Sequence, residues 1–301
     1  MFEWQDVSLV LRTFKSCKNP LDAVMILRGV GRDKPLRFRN GSYLNPKSIP
    51  RVAVGQAIEL VDAQDAHILQ DKSGNLQGIR LAGNTLITWP EAVGVPALGI
   101  MHAIFVRNEY GKHSEAQLAG KCVVDVGAFV GDTAILFAKQ GAFVYAIEPN
   151  KVYYGYLVEN MRANRCQDQV RPLNCAVGQG SIFVSGETAP SEAFHTPIAR
   201  APDNDGVASL SMSQVISLAV NEGYSEVEVV KLDCEGCEGS AFEECSWLDH
   251  VNQLYLEIHR KVVSYDLVLT KLIEKGFRVS TRREFITSDT ITITATRERP
   301  D

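Results

Sequence analysis

From Lys121 onward the chain alternates short apolar runs with segments of helical spacing, and that alternation limits the fold more than any single residue does. "CVVDV", "AFVYAIE", "QVRPLNCAV", "VEVVKLDCEG" and "QLYLEIH" read as strands. Continuous apolar runs of this kind suit strands buried on both faces. Between them "DTAILFAKQ", "KVYYGYLVENMRAN", "SMSQVISLAVNEG" and "SAFEECSWL" read as helices, and "DLVLTKLIEKG" follows the fifth strand. Gly141 stands where the first helix needs a C-terminal cap. In the second helix Leu157 and Met161 face inward, with Tyr153 and Tyr154 beside them. Strand–helix alternation implies a mostly parallel sheet covered on both sides, an α/β, Rossmann-like architecture. The closing pair "FRVSTRREF" and "TITITATR" reads as an antiparallel hairpin, which a plain dinucleotide fold lacks.

Residues 1–119 read as a smaller α+β region and residues 120–301 as the ligand-binding domain. In the first, helices are expected near Phe2–Ser16 and Pro50–Ala63. "LRFRNGSY" turns at Asn40–Gly41, and residues 66–89 read as a hairpin or a meander with turns at Ser73–Gly74 and Gly83–Asn84. In the second, "SIFVSG" reads as a short extra strand and "ETAPSEAFHTPIARAPDNDG" as a mobile loop. A content of 45% hydrophobic residues in 301 is enough for a sizeable core. The net charge of -5 comes from 31 basic and 36 acidic residues. No Lys/Arg block reaches the density of a nucleic-acid footprint, so no nucleic-acid substrate is expected. The N-terminal stretch is amphipathic rather than signal-like, and the longest apolar run, Val93 to Val106, carries Pro96 and His102 and falls short of a bilayer span. A cytoplasmic protein with reduced thiols is expected from the seven cysteines.

The chemistry-bearing stretch is "VVDVGAFVGDTAILFAKQGAFVYAIEPN". In a doubly wound sheet, ligands bind at the carboxyl ends of strands where strand order reverses. Asp125 ends the first strand there, Gly127 permits a positive φ and close backbone approach, and Gly131 relieves crowding at the helix start. Glu148 ends the second strand where an acid can accept both hydroxyl protons of a ribose. A nicotinamide dinucleotide needs G-x-G-x-x-G, whereas the spacing here is G-x-x-x-G. A carboxylate beside that turn repels pyrophosphate and suits the ammonium and sulfonium of S-adenosyl-L-methionine. An NAD(P)-dependent oxidoreductase and a non-catalytic module on the same sheet are the competing readings.

"VVDVGAFVGDTAILFA", "AIEPN", "NCAVG", "VVKLDCEGCE" and "LYLEIH" occur in order, and together they resemble the FkbM family of S-adenosylmethionine-dependent methyltransferases. The resemblance covers roughly Lys121 to Arg297, and the lead-in "IFVRNEYG" is similar to that of archaeal-type members. It implies a seven-stranded sheet with a reversed C-terminal hairpin. It also implies that Asp125, Gly127 and Ala128 line the methionine side of the cofactor and that Glu148 holds its ribose. Asn174, Cys175 and Ala176 would flank adenine, and Asp233 would lie beside the transferable methyl. Family members methylate hydroxyl oxygens of sugars, lipids or secondary metabolites, so a glycan, lipid or small-molecule acceptor is implied. The chain departs from the family at Phe129, where Asn is common, and at Cys234 and Cys237, where small apolar residues are common.

An acceptor hydroxyl needs a proton acceptor as its oxygen attacks. His259 is the best-placed base by residue type, with Asp233 and Glu257 as the alternatives or as its orienting partners. No metal site is expected: Cys234 and Cys237 lack a second C-x-x-C, and they read as buried, redox-silent thiols. The N-terminal region is assigned to acceptor binding or to a cap.

Overall fold

The structure is a computed structural model that describes residues 4–47, 49–111, 115–178, 182–183, 199–200, 207–286 and 289–298. The chain divides into two compact units, Met1–Gly111 and Lys112–Asp301.

The first unit is built on α1 (Trp4–Ser16), α2 (Pro20–Leu27), α3 (Arg51–Gln64) and α4 (Gly94–Phe105), with a meander of β1 (His67–Gln70), β2 (Leu76–Leu81) and β3 (Thr85–Thr88). Helix α3 is its spine: Ala53, Val54, Ala57, Ile58 and Leu60 are all buried, and α1, α2 and α4 pack against it. The run from Val93 to Val106, read only as apolar, is the half-buried helix α4. Turns at Gly74 and Gly83 have positive φ, as the meander requires. Leu36–Arg37 pairs antiparallel with Tyr43–Leu44 across the Asn40–Gly41 turn.

The second unit is a seven-stranded sheet. Its elements in chain order are β4 (Cys122–Val126), α5 (Asp132–Lys139), β5 (Phe143–Ile147), α6 (Lys151–Ala163), β6 (Val170–Leu173), α7 (Met212–Asn221), β7 (Val227–Leu232), β8 (Val251–His259), α8 (Tyr265–Glu274), β9 (Phe277–Ile286) and β10 (Thr290–Arg297). The spatial order is β9-β10-β8-β7-β4-β5-β6. Strands β4 to β8 run parallel, and β10 slots antiparallel between β8 and β9. The strand order therefore reverses between β4 and β7, and the site is built there.

Every residue of β4 is buried. One face of the sheet contributes Val124, Val126, Leu232, Leu254, Leu256 and Ile293 to a core closed by Phe242 and Trp247. Each such aliphatic side chain contributes about 1.5–3 kcal/mol on burial. Trp247 also donates Nε1–H to the Ala241 carbonyl at 2.8 Å, which fixes the short helix Glu238–Ala241 that follows β7. Helix α7 begins at a capping box of Ser211 and Gln214.

The third strand is shorter than "QVRPLNCAV" suggests. It ends at Leu173 because Asn174 turns away to donate Nδ2–H to the carbonyls of Glu148 and Pro149, at 2.9 and 3.1 Å. Ala176–Val177 pairs instead with Ser209–Leu210. The stretch read as a mobile loop lies outside the described residues except at Ala199–Arg200, which pairs with Ile182–Phe183 of the expected extra strand.

Candidate active site

The turn after β4 is held by backbone from both neighbouring strands. Gly127 has φ 77°, and a Cβ placed on it would lie 1.8 Å from the Asp233 carbonyl oxygen. The glycine is thus required by the close approach of the β7 end, an approach of protein backbone where the sequence suggested one of ligand. The N–H groups of Gly127 and Ala128 both donate to the Ile147 carbonyl, at 3.0 and 2.9 Å, and Ala128 is fully buried. Phe129 has φ 48°, a left-handed conformation that Asn tolerates better than most residues. Its N–H donates to Glu148 Oε2 at 2.8 Å, and its ring meets Tyr153 edge-on at 4.7 Å.

Lys231 organises the acids around this turn, although no sequence motif marks it. Its ammonium lies 3.2 Å from Asp125 Oδ1 and 3.8 Å from Asp233 Oδ2, and it donates to the Gly127 carbonyl at 2.7 Å. Burial works against its charge, but Asp125, Asp233 and Asp132 outweigh that and hold its pKa above the usual lysine value. The available signal was a lone lysine within "VEVVKLD", a strand otherwise buried on both faces. Asp125, itself fully buried, accepts from Thr133 Oγ1 at 2.5 Å through its other oxygen. Asp132 accepts from the Thr133 N–H at 2.7 Å, while its buried Oδ2 has no hydrogen-bond partner. Burial pushes the Asp132 carboxyl up to about 7, with Lys231 pulling it down and Asp125 adding to the rise.

Glu148 braces two elements at once. Oε2 takes the Phe129 N–H, and Oε1 takes the Asn150 N–H at 2.7 Å. Asn150 in turn caps α6 through Oδ1. Burial pushes the Glu148 carboxyl up to about 8, against the two backbone N–H bonds and Lys231. Asn174 supports the Glu148–Pro149 carbonyls from behind. Cys175 packs in the hydrophobic core, where burial raises its thiol to about 11, and Ala176 is buried beside it.

His259 stands in a second cluster. Its Nδ1 lies 2.6 Å from Glu238 Oε1 and its Nε2 lies 3.0 Å from Glu235 Oε2. Two carboxylates on both ring nitrogens require both to carry protons. Burial opposes the charge, yet Glu235 and Glu238 hold the imidazolium up to about 11. A proton-accepting imidazole at neutral pH, expected from residue type, is therefore not what this geometry provides. Glu238 is 1% exposed, and its Oε2 lacks a hydrogen-bond partner. Glu257 is partly exposed, opposite Thr292, and shares the His259 face of β8 by strand alternation. The loop between the clusters corrects the reading of free thiols: Cys234 and Cys237 form a disulfide. Glu235 at φ 55° and Gly236 at φ 128° bend the chain sharply between them. Among the described residues no group of three or more His, Cys, Asp or Glu could hold a metal ion.

The donor set can be tested against a cofactor. Asp125 and Asp233 share one buried lysine, Lys231, with the buried carboxyls of Asp132 and Glu148 within its electrostatic reach, and one buried carboxylate oxygen is unpaired. A cationic ligand fits this excess of acid, and a pyrophosphate does not. A parallel sheet closed by an inserted antiparallel strand, with an acid-flanked glycine turn at its switch point, defines a Rossmann-like class I methyltransferase whose cofactor is S-adenosylmethionine. The chain belongs to the FkbM family: the family model described as "Methyltransferase FkbM domain" matches residues 125–279. Among curated proteins no sequence match is found. Among solved structures, precorrin-6y C5,15-methyltransferase from Geobacter metallireducens GS-15 is similar at 11% identity over 62% of this chain and 85% of that one, with a TM-score of 0.35. Magnesium protoporphyrin IX methyltransferase from Synechocystis PCC 6803 with bound SAM is similar at 14% over 61% and 73%, with a TM-score of 0.36. The human methyltransferase 10 domain containing protein is similar at 11% over 72% and 89%, with a TM-score of 0.41. These likenesses are too distant to carry an inference about chemistry.

Three outcomes follow from this geometry. Gly127→Ala should lower unfolding free energy by about 2–4 kcal/mol and weaken cofactor binding with it, read by urea melts and calorimetry; a normal melt would remove the backbone clash as the reason for glycine. Thiol titration of the unreduced, unfolded chain should count the five free cysteines, rising to seven after reduction. Glu148 keeps its proton in the folded state from its ordinary 4.5 up to about 8, while the unfolded chain releases it. Its contribution is therefore fully present below the lower value and lost as pH rises to the upper one. Thermal melts without cofactor should show that decline, and Glu148→Gln should flatten it.

Proposed function

We propose that the chain is an S-adenosylmethionine-dependent O-methyltransferase acting on a hydroxyl of a sugar, lipid or small metabolite in the cytoplasm. The observation that carries the reading is Asp233. Its side chain is 22% exposed at the switch point, whereas Asp125 beneath it is fully buried. In this reading Asp125, Gly127 and Ala128 line the methionyl side of the cofactor pocket, Glu148 receives the ribose hydroxyls, and Asn174, Cys175 and Ala176 flank the adenine. S-adenosylmethionine supplies a methyl group already activated on sulfonium.

The protein's share is positioning and proton transfer. Asp233 holds the proton of the acceptor hydroxyl and takes it as the oxygen gains its methyl group. Lys231 fixes Asp233 relative to Asp125. His259, carrying both ring protons, orients Glu235 and Glu238 behind the Asp233 loop, and Glu257 is the second candidate to orient the acceptor or take the proton. Residues 1–119 serve acceptor binding or act as a cap. The archaeal-type assignment rests on the lead-in Ile104–Gly111 alone, ahead of the matched family segment. An NAD(P)-dependent oxidoreductase is disfavoured by the acids around the turn, and a non-catalytic module by their retention.

Labelled methyl groups from S-adenosylmethionine should appear on the oxygen of at least one alcohol in a panel of sugars, lipids and metabolites. Asp233→Asn should lower that turnover roughly 10²–10⁴-fold with cofactor affinity little changed. His259→Gln should leave the pH profile without a histidine-like inflection, as in the unmutated protein. Transfer to nitrogen alone, or full turnover by Asp233→Asn, would overturn the reading.

A further inference from the structure

The α1–α2 side of the first unit combines clustered cations with exposed apolar side chains. Between Arg12 and Arg51 the sequence holds ten basic residues and two acidic ones, Asp22 and Asp33. The remainder holds twenty-one basic and thirty-four acidic. The charge of this chain is therefore strongly segregated, and its whole-chain value of -5 conceals the fact.

The same stretch exposes apolar side chains in ordered stripes. On α1, Val7, Leu11 and Phe14 recur at helical spacing and are 41%, 65% and 46% exposed, and exposed Lys18 lies just past the helix end. On α2, Leu21 and Met25 are 71% and 45% exposed, and exposed Arg28 continues their line. The opposite faces are accounted for: Thr13 and Ser16 of α1 and Ala23 and Ile26 of α2 are buried, and Ser16 donates to Asp62 of α3 at 3.2 Å. Each helix thus packs one side onto the unit and turns a second apolar stripe to solvent.

Backbone contacts bring cations to these stripes. The Lys18 N–H donates to the Arg37 carbonyl at 2.7 Å, and Arg39 Nη2 donates to the Phe14 carbonyl at 3.4 Å. Lys18 and Arg37, with one acid, Asp33, line a surface cavity of about 570 Å³ that also includes Ser42 and the half-exposed ring of Tyr43. Apolar residues bordered by cations, with an aromatic at the rim, make a surface complementary to an anionic bilayer: the apolar side chains enter the interface and the cations meet headgroup phosphates. A nucleic acid would use the charge and leave Leu11, Leu21 and Met25 without a role.

We propose that the α1–α2 face of the first unit docks on the surface of an anionic phospholipid membrane. The inference is independent of the methyl acceptor.

The test is flotation of the full chain with vesicles of phosphatidylcholine, alone or mixed with phosphatidylserine. Binding is expected to the mixed vesicles only and should fall as salt is raised. Lys18→Gln with Arg37→Gln should weaken it about 25-fold, at roughly fivefold per charge. Leu11→Gln with Phe14→Gln should abolish it with an unchanged melting curve. If that pair alters the melt, Leu21→Gln with Met25→Gln replaces it. Absence of binding to the mixed vesicles would overturn the proposal, as would binding indifferent to both apolar pairs. Binding of single-stranded RNA but not vesicles would assign the face to nucleic acid instead. A dimer in solution that the apolar changes split would assign it to a second copy of the chain.

Discussion

A charged lysine in the middle of a buried sheet is the constraint on which the rest of the catalytic unit depends. Desolvating an ammonium costs several kcal/mol unless partners surround it, and Lys231 has them on both sides: Asp125 on β4, Asp233 at the end of β7 and the Gly127 carbonyl between. The dependence is mutual. Asp125 and Asp132 are buried within one small volume, and without the cation their charges would repel one another in a poorly screened interior. Lys231 therefore ties the two strands at the switch point and allows acids to be concentrated there.

That concentration fixes what the neighbouring elements must be. The β4 turn has to pass close beneath the β7 end for Lys231 to reach both, which leaves no room for a side chain at Gly127. The turn then continues through Phe129 in a left-handed conformation, which Glu148 stabilises by accepting its N–H. One acid at the end of β5 thereby connects the turn, the start of α6 and, through Asn174, the end of β6. Past Asp233 the chain is bent by the Cys234–Cys237 bond and returns Glu235 and Glu238 to the two ring nitrogens of one imidazole. Positioning at the site is inherited from the sheet through short polar links.

The sheet was legible because its signal is periodic: β4, β7 and β8 are apolar for reasons that local sequence records. The glycine turn and both of its acids were legible because residue type and spacing carry them. Lys231 was not, since a single lysine in an apolar run acquires meaning only when β4 and β7 are paired and its partners come within reach. His259 failed in a related way. Residue type suggested a base, but its protonation depends on Glu235 and Glu238, which a tight bend of four residues brings to it. Helix α4 was hidden because its apolar character runs round the whole helix, so no stripe marked a face. Asn174 reads as a binding residue in a motif and in the structure holds backbone; a motif reports that a residue matters at a place and is silent on which group it touches.

Charge makes the same point at a larger scale. A net charge is a sum, and a sum is informative about partners only when the charges are mixed. Here they are not: the cations gather between Arg12 and Arg51, while the buried acids of the second unit gather at one switch point. The two fields act over different ranges. The buried cluster acts at contact distance in a medium that screens little, and so selects a ligand by the sign of its charge. The exposed cations act across about a Debye length of salt solution, and so set which extended surfaces the unit can approach.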